Sequence, residues 1–352
     1  MKSKAREMTE RMEENPMEKY AYDFSVNINP LGLPEGVIPH VAASLEQCRN
    51  YPDPSCGALG TLLSGKYLLP KERFFFGNGA DDLLYRIVCA FQPRRALIIE
   101  PAFEEYERAL RTVSCQIVHG VLPEARGFAF PEDLPDLITG GLDMVFLCNP
   151  NNPTGAMCPL PILRKILDRA RERRVTVVAD ECFMEFVPEW RSCSAKALVE
   201  EYGNLIVIDA FTKIYALAGF RLGFCVCGDP EMLRAIARHG QSYGVSGPAQ
   251  AAGIGALKSE EYLPSTYRLV VEEREFLMTG LAGLPLKVYP SRTNFLLFHC
   301  AFPLLADKLK RYGIKVRDCS EFYSLDSLYH RIAVSTHENN RYLLQALGEI
   351  LS

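Results

Sequence analysis

Lys213 and Arg221 stand eight residues apart in the stretch Ile206–Phe224, which begins as an apolar run and turns polar at Thr212. Such a run predicts a buried strand followed by a loop. A lysine that leaves the end of a buried strand can form a Schiff base with a carbonyl cofactor. An arginine beside it can hold a phosphate with its planar fork of donors. Taken alone, the stretch is explained equally well by a strand, a loop and two solvated cations.

A glycine-rich turn, Gly77–Asp82, directly precedes a segment with helical apolar periodicity. Backbone N–H groups and the positive end of the helix dipole converge at such a helix start. This predicts a phosphate site formed by Gly79, Ala80 and Asp81. A simple helix cap is the competing interpretation, because a single Gly-x-Gly is a weak signal.

Polar segments also follow two other predicted strands. The strand Met144–Cys148 enters Asn149–Gly155, and the strand Val175–Ala179 ends at Asp180. Strands that alternate with helices predict a largely parallel sheet, and ligands of such sheets bind beyond the carboxyl ends of the strands. We therefore expect these segments and Lys213 to converge on one site.

The order of predicted elements indicates an α/β fold with two unequal domains. Residues 46–245 form the predicted large domain with a mostly parallel sheet, and residues 246–352 form a small α+β domain. Residues 1–45 are predicted to be an N-terminal arm that also contributes to the small domain. The cleft between the two domains is the expected site.

Composition narrows the class of protein. The 352-residue chain has a formal net charge of −4, which argues against a nucleic-acid partner. Its twelve cysteines include no Cys-x-x-Cys pair, and the closest pair, Cys225 and Cys227, lies in an apolar segment, so neither a metal site nor a disulfide is predicted. No apolar run is long enough for a signal peptide or a membrane span, which predicts a cytoplasmic protein without a membrane partner.

One cofactor, a pyridine aldehyde phosphate, would account for the chemistry of the converging residues. Lys213 would hold it as an imine, and Asp180 would keep the ring nitrogen protonated, so that the ring withdraws electrons. Asn152 would donate to the phenolic oxygen, and Phe103 would stack on the ring. The predicted phosphate contacts are Gly79, Ala80, Asp81, Thr212 and Arg221.

Four motifs together resemble the fold-type I pyridoxal-phosphate enzymes of the class I/II aminotransferase group. They are NPNNPTG at Asn149–Gly155, the acidic pair Asp180-Glu181, Thr212-Lys213, and GFRLGF at Gly219–Phe224. The resemblance extends over roughly residues 20 to 350. It implies the fold-type I architecture, pyridoxal 5′-phosphate as cofactor, and Lys213 and Asp180 as catalytic residues.

Two branches of this group are the most similar: the histidinol-phosphate aminotransferases and the threonine-phosphate decarboxylases of cobalamin biosynthesis. The segments Phe24–Gly32, Pro101–Tyr106 and Val288–Phe295 resemble the decarboxylases. Phe183 stands where the aminotransferases usually carry a tyrosine. The resemblance therefore implies decarboxylation of an O-phosphorylated amino acid, with threonine phosphate as the expected substrate. Transamination of the histidinol-phosphate type and a non-catalytic sensor are the alternatives.

The resemblance also assigns roles outside the cofactor site. Arg331 matches the arginine that binds a substrate carboxylate, Arg317 matches a second anion contact, and Asn29 joins the expected substrate-binding set. Tyr51 matches a tyrosine that reaches the cofactor phosphate of a partner subunit, which implies a homodimer.

Two positions and one segment depart from the sequence patterns of these relatives. Ala210 replaces a usual serine or threonine that contacts the cofactor phosphate. Residues 1–20 lack a His-Gly-Gly element that helps to enclose the decarboxylase substrate. Ser335 stands where the decarboxylase pattern has a further arginine. These departures leave a related phospho-amino acid, such as phosphoserine, open as the substrate.

Overall fold

The structure, a computed structural model, describes residues 20–352. Its strands are β1 (Tyr22–Asp23), β2 (Phe74–Gly77), β3 (Arg95–Glu100), β4 (Gln116–Val121), β5 (Met144–Cys148), β6 (Thr176–Asp180), β7 (Leu205–Ala210), β8 (Gly223–Cys227), β9 (Lys287–Val288), β10 (Phe295–His299), β11 (Ile314–Lys315), β12 (Arg317–Asp318) and β13 (Tyr329–Ala333). Its helices are α1 (Val37–Ser44), α2 (Gly57–Tyr67), α3 (Ala80–Phe91), α4 (Glu105–Arg111), α5 (Leu160–Glu172), α6 (Phe211–Ile214), α7 (Pro230–Arg238), α8 (Gly247–Leu257), α9 (Tyr262–Ala282), α10 (Leu305–Lys310) and α11 (His337–Leu351). None of these helices is long and apolar enough to cross a membrane.

Seven strands form the large sheet in the order β2-β8-β7-β6-β5-β3-β4. Only β8 runs against the others, so the prediction of a mostly parallel sheet is confirmed. Every residue of β5, β7 and β8 is buried. Apolar cores cover both faces of the sheet, which explains why these strands read as continuous rather than alternating apolar runs.

The register of the sheet aligns the ends of its central strands. Cys148 at the end of β5 pairs with Asp180 at the end of β6, and Asp180 pairs with Ile208 near the end of β7. The reversed strand β8 places Gly223 beside both Ala210 and Gly77. The loops after β2, β5, β6 and β7 are therefore gathered at one edge of the sheet.

A second, antiparallel sheet has the order β12-β13-β10-β9, and β1 pairs with β11 beside it. The N-terminal segment is tied to this sheet, because the Ala333 N–H donates to the Phe24 carbonyl at 2.8 Å. The described part of the predicted N-terminal arm therefore contacts the small sheet; residues 1–19 of that arm lie outside the described residues, and the domain division stays a prediction.

Helices α8 and α9 connect the two cores. Ala252 and Ala256 of α8 lie in the core of the large sheet, whereas Leu277 and Leu281 of α9 lie in the core of the small sheet. A Cβ atom at Gly255 would lie 2.3 Å from the Gly36 carbonyl oxygen, so glycine allows α8 to approach the start of α1. Helix α8 thus packs with the large sheet, whereas the predicted boundary assigned it to the small domain. The domain boundaries remain predictions.

Candidate active site

A cavity of about 840 Å³ lies between the carboxyl ends of the large-sheet strands and the small sheet. Side chains from β6, from the loops after β2, β3, β5 and β7, and from β12 and β13 line it. The predicted site residues in its lining are Ala80, Asp81, Phe103, Asn152, Asp180, Thr212, Lys213, Arg221, Arg317 and Arg331.

Lys213 lies in the short helix α6, three residues after the end of β7. Burial lowers the pKa of its ammonium, and the nearby positive charge of Arg331 lowers it further. Among residues 20–352, no side chain forms an ion pair with Lys213. The amine is therefore neutral at a lower pH than an ordinary lysine, as a nucleophile that attacks a carbonyl requires.

Asp180 is held by a hydrogen bond to each carboxylate oxygen. The Tyr106 hydroxyl donates to Oδ2 at 2.6 Å, and the Cys182 N–H donates to Oδ1 at 3.0 Å. Tyr106 is a residue that the sequence analysis did not single out. Its only sequence signal is that a tyrosine at a buried helix position needs a partner for its hydroxyl.

A tight glycine-lined turn forms the predicted phosphate site. Gly79 has φ +88°, and a Cβ atom there would lie 2.7 Å from Nη2 of Arg221. A Cβ atom at Gly223 would lie 2.6 Å from the Gly79 carbonyl carbon. Among residues 20–352, no side chain caps the N-terminus of α3, so its first N–H groups at this turn are not occupied by a cap. The cradle fits a phosphate group held by backbone donors and one guanidinium.

The side chains of Asp81 and Ala210 cannot donate a hydrogen bond to a phosphate in this cradle. The Asp81 carboxylate accepts from Arg221 at 2.9 Å, so its side chain orients the arginine and only its backbone can donate to an anion. Ala210, at the end of β7, lines the cavity without a hydroxyl.

Two arginines extend the site onto the small sheet. Arg317 of β12 and Arg331 of β13 stand directly opposite each other in the antiparallel pairing. Arg331 is buried and donates to the Ser25 carbonyl at 2.8 Å. Burial lowers its pKa to about 10, which leaves it cationic at neutral pH. Arg317 is more exposed and pairs with Glu321 at 2.7 Å.

Phe183 also lines the cavity, three residues after Asp180. Its ring packs edge-on against Phe295, with ring centroids 4.9 Å apart and planes inclined by 76°. The side chain is therefore fixed by apolar packing, and it offers no hydroxyl to a cofactor.

The structure places Asn29 differently from the prediction. It is 2% exposed and does not line the cavity. Its amide donates to the Ile214 carbonyl and to the Thr266 hydroxyl, both at 2.8 Å. Its backbone N–H donates to the Lys213 carbonyl at 3.1 Å. With both amide hydrogens used, Asn29 supports the loop that carries Lys213 and is not placed to bind substrate.

Tyr51 lies outside the cavity of its own chain. It is 81% exposed and stacks on Tyr243, with ring centroids 4.6 Å apart. Its expected role toward a partner subunit stays a prediction.

The donor set fits pyridoxal phosphate. A lysine with a lowered pKa, a fixed carboxylate and a glycine-lined cradle beside an arginine match the aldehyde, the ring nitrogen and the phosphate, respectively. Lys213, Asp180 and the turn at Gly79 with Arg221 would hold these three parts of the cofactor.

Comparisons with known proteins agree with this assignment. The family model "Aminotransferase class I and II" matches residues 21–347. The chain is 33% identical to the threonine-phosphate decarboxylase of Salmonella typhimurium, over 94% of this chain and 91% of that protein. It is also 33% identical to the histidinol-phosphate aminotransferase of Symbiobacterium thermophilum, over 92% and 89% of the two chains.

Among solved structures, the histidinol-phosphate aminotransferase from Clostridium acetobutylicum superposes with a TM-score of 0.88 at 26% identity, covering 94% of this chain and 98% of that one. The fold-type I architecture is thereby confirmed. The chain belongs to the class I and II aminotransferase family of enzymes, and its cofactor is pyridoxal phosphate.

Proposed function

We propose that the protein is a pyridoxal-phosphate-dependent decarboxylase of an O-phosphorylated amino acid, with L-threonine O-3-phosphate as its substrate and aminopropanol phosphate as its product. The pairing of Arg317 with Arg331 carries this proposal. Two guanidinium groups on neighbouring strands at one cavity wall suit a small molecule that bears both a carboxylate and a phosphate.

The two arginines differ in a way that suits two different anions. Arg331 is buried between the Asn152 side chain and the Ser25 carbonyl, where a small planar carboxylate can be bound in a fixed orientation. Arg317 is more exposed and carries an exchangeable pair with Glu321, so it can turn toward a larger phosphate. Together they would orient the bond between Cα and the carboxylate.

When bound, pyridoxal phosphate supplies an electron-withdrawing ring that stabilises negative charge on the carbon beside the amine. The carboxylate of Asp180 would hold a proton on the ring nitrogen, and the amine of Lys213 would hold the aldehyde carbon. Loss of CO₂ from the substrate requires one proton to be returned to Cα, and the Lys213 side chain, which lines the cavity, would carry that proton as an ammonium.

Phe183 supports decarboxylation over transamination. Relatives that transaminate usually place a tyrosine hydroxyl at this position, and here the ring packs on Phe295 instead. Without that hydroxyl, Asn152 is the predicted partner of the phenolic oxygen of the cofactor. Loss of the tyrosine hydroxyl would change the pKa of the imine nitrogen beside that oxygen.

Histidinol-phosphate-type transamination is the second candidate. The equal 33% identity to a decarboxylase and to an aminotransferase is the observation in its favour. In that reaction Lys213 would move a proton between two carbons instead of returning one after CO₂ loss.

The deciding experiment incubates the purified holoenzyme with threonine phosphate, serine phosphate, and histidinol phosphate plus 2-oxoglutarate. We expect CO₂ and aminopropanol phosphate from threonine phosphate, in equal amounts and over many turnovers. Transamination would instead be established by a keto acid and pyridoxamine phosphate from threonine phosphate without CO₂, or by glutamate formed from 2-oxoglutarate in the presence of histidinol phosphate. The Arg317→Met variant should raise KM for threonine phosphate much more than for unphosphorylated threonine.

We also infer that the active protein is a homodimer in which Tyr51 reaches the partner's cofactor phosphate. The support is that Tyr51 is exposed, stacks on Tyr243, and does not line the cavity of its own chain. Mixing Tyr51→Phe with Lys213→Ala subunits should generate hybrid dimers with one site that carries both substitutions and one site that carries neither. Activity regained on mixing supports the shared site, and a monomeric mass by light scattering excludes it.

A further inference from the structure

Tyr106 and Asp180 form a buried pair behind the cavity. The hydroxyl of Tyr106 donates to Oδ2 of Asp180 at 2.6 Å, and Tyr106 itself is only 2% exposed. Asp180 lines the cavity, whereas Tyr106 does not. The tyrosine therefore contacts the functional carboxylate without itself lining the cavity.

The ring of Tyr106 has little freedom to move. It stacks on Phe146 of β5, with centroids 5.4 Å apart and planes inclined by 16°, and it meets the ring of Phe103 edge-on at 6.0 Å. Phe103 is the residue expected to stack on the cofactor ring. One aromatic side chain thus contacts two residues that are predicted to hold the cofactor.

The direction of the hydrogen bond is fixed by the charges. Burial raises the pKa of the Tyr106 hydroxyl, and the negative charge of Asp180 raises it further, so the hydroxyl keeps its proton and donates. The Cys182 N–H donates to the other oxygen. A carboxylate that accepts one hydrogen bond on each oxygen is held in one rotamer.

We propose that Tyr106 is a positioning residue, which holds the Asp180 carboxylate in the orientation needed to bind the protonated ring nitrogen of pyridoxal phosphate. This inference depends on the cofactor of the family and not on which reaction the enzyme catalyses. It assigns to Tyr106 a role that is exerted through Asp180 and not by contact with substrate.

The test compares the affinity of the Tyr106→Phe variant and the wild type for two ligands. One ligand is pyridoxal phosphate, and the other is its deaza analogue, in which carbon replaces the ring nitrogen. We expect the substitution to weaken binding of pyridoxal phosphate about tenfold, as for loss of one charge-assisted hydrogen bond. It should change the affinity for the deaza analogue by less than about twofold, because the analogue has no ring nitrogen for Asp180 to bind.

Tyr67→Phe is a matched control. The Tyr67 hydroxyl also donates to a buried carboxylate, Oε1 of Glu185, at 2.6 Å, but neither residue lines the cavity. This variant should bind both ligands as the wild type does. Equal weakening of both ligands by Tyr106→Phe would show a general packing role and overturn the proposal, as would unchanged affinity for pyridoxal phosphate. Urea unfolding of each apo variant verifies that the binding is measured on folded protein.

Discussion

The guanidinium of Arg331 donates a hydrogen bond to the side-chain oxygen of Asn152 across the cavity. Arg331 belongs to β13 of the small sheet, and Asn152 lies in the loop that follows β5 of the large sheet. A residue expected to bind the cofactor is therefore linked directly to a residue expected to bind the substrate. The bond also satisfies part of a buried guanidinium, whose Nε finds no partner among residues 20–352.

We predict that Asn152→Ala lowers the unfolding free energy of the apo protein by about 1–3 kcal/mol, because the buried Arg331 loses an acceptor. Arg331→Met removes the buried charge, so Asn152→Ala should lower the unfolding free energy much less in an Arg331→Met background than in the wild type. Urea unfolding of the two single variants and the double variant measures this coupling. If the two effects simply add, the hydrogen bond does not stabilise the apo protein.

The same arginine contributes to the lowered pKa of Lys213. Burial first, and then the charge of Arg331, lowers the pKa of the Lys213 ammonium. Arg331→Met removes the like charge and should raise this pKa, so the rate of imine formation with pyridoxal phosphate should shift to higher pH. Stopped-flow absorbance across a pH series measures the shift. Arg317→Met is the control, and an equal shift in that variant would contradict the assignment.

The site residues at strand ends could be predicted from the sequence, because local apolar patterns show where each strand ends. Asp180 and Lys213 each end or follow an apolar run, and parallel pairing then aligns them without further information. Tyr106 could not be assigned in this way, since its partner lies 74 residues further along the chain. Asn29 was misplaced for the same reason: its partner Thr266 is 237 residues away, and their contact is decided by the packing of α9.

The phosphate cradle should not tolerate a methyl group at Gly223. A Cβ atom there would lie 2.6 Å from the Gly79 carbonyl carbon and 2.8 Å from the Ala80 nitrogen, both of which are backbone atoms. We expect Gly223→Ala to separate β8 from the start of α3 and to weaken binding of pyridoxal phosphate at least tenfold.

Gly219→Ala is the control, because a Cβ atom at Gly219 would meet no atom within 4 Å. Fluorescence titration with pyridoxal phosphate and with pyridoxal, which lacks the phosphate, separates the causes. If Gly223→Ala weakens both ligands equally, the damage does not lie in the phosphate cradle.

A buried ion triad supports the strand ends that carry the catalytic residues. Lys196 Nζ lies 3.0 Å from Glu181, the residue after Asp180, and 2.7 Å from Asp209 of β7. All three side chains are less than 5% exposed. Lys196→Met would leave two buried carboxylates without their cation, and we predict a loss of about 3–5 kcal/mol in unfolding free energy.

Lys165→Met, at an exposed pair with Glu132, should change the unfolding free energy little. Urea denaturation of the apo variants measures both effects. A loss below about 1 kcal/mol for Lys196→Met would show that water reaches the triad and solvates the carboxylates.

The triad also predicts how stability depends on pH. Burial raises the pKa of Asp209 from 3.8 to about 7, although Lys196 opposes the shift. Between about pH 4 and 7 the folded protein therefore binds more protons at this carboxyl than the unfolded chain does. Its contribution to the unfolding free energy consequently falls as pH rises through this window and is constant above it.

Asp209→Asn should remove that decline, so the variant gains stability relative to the wild type as pH rises from about 4 to 7. Urea midpoints of the apo proteins across this window measure the difference, with Asp168→Asn at an exposed pair with Arg171 as the control. If the urea midpoint of Asp209→Asn falls with pH as steeply as that of the wild type, another group is responsible for the pH dependence. The opposite slope would mean that Lys196 keeps Asp209 ionised and that the triad holds its full charge.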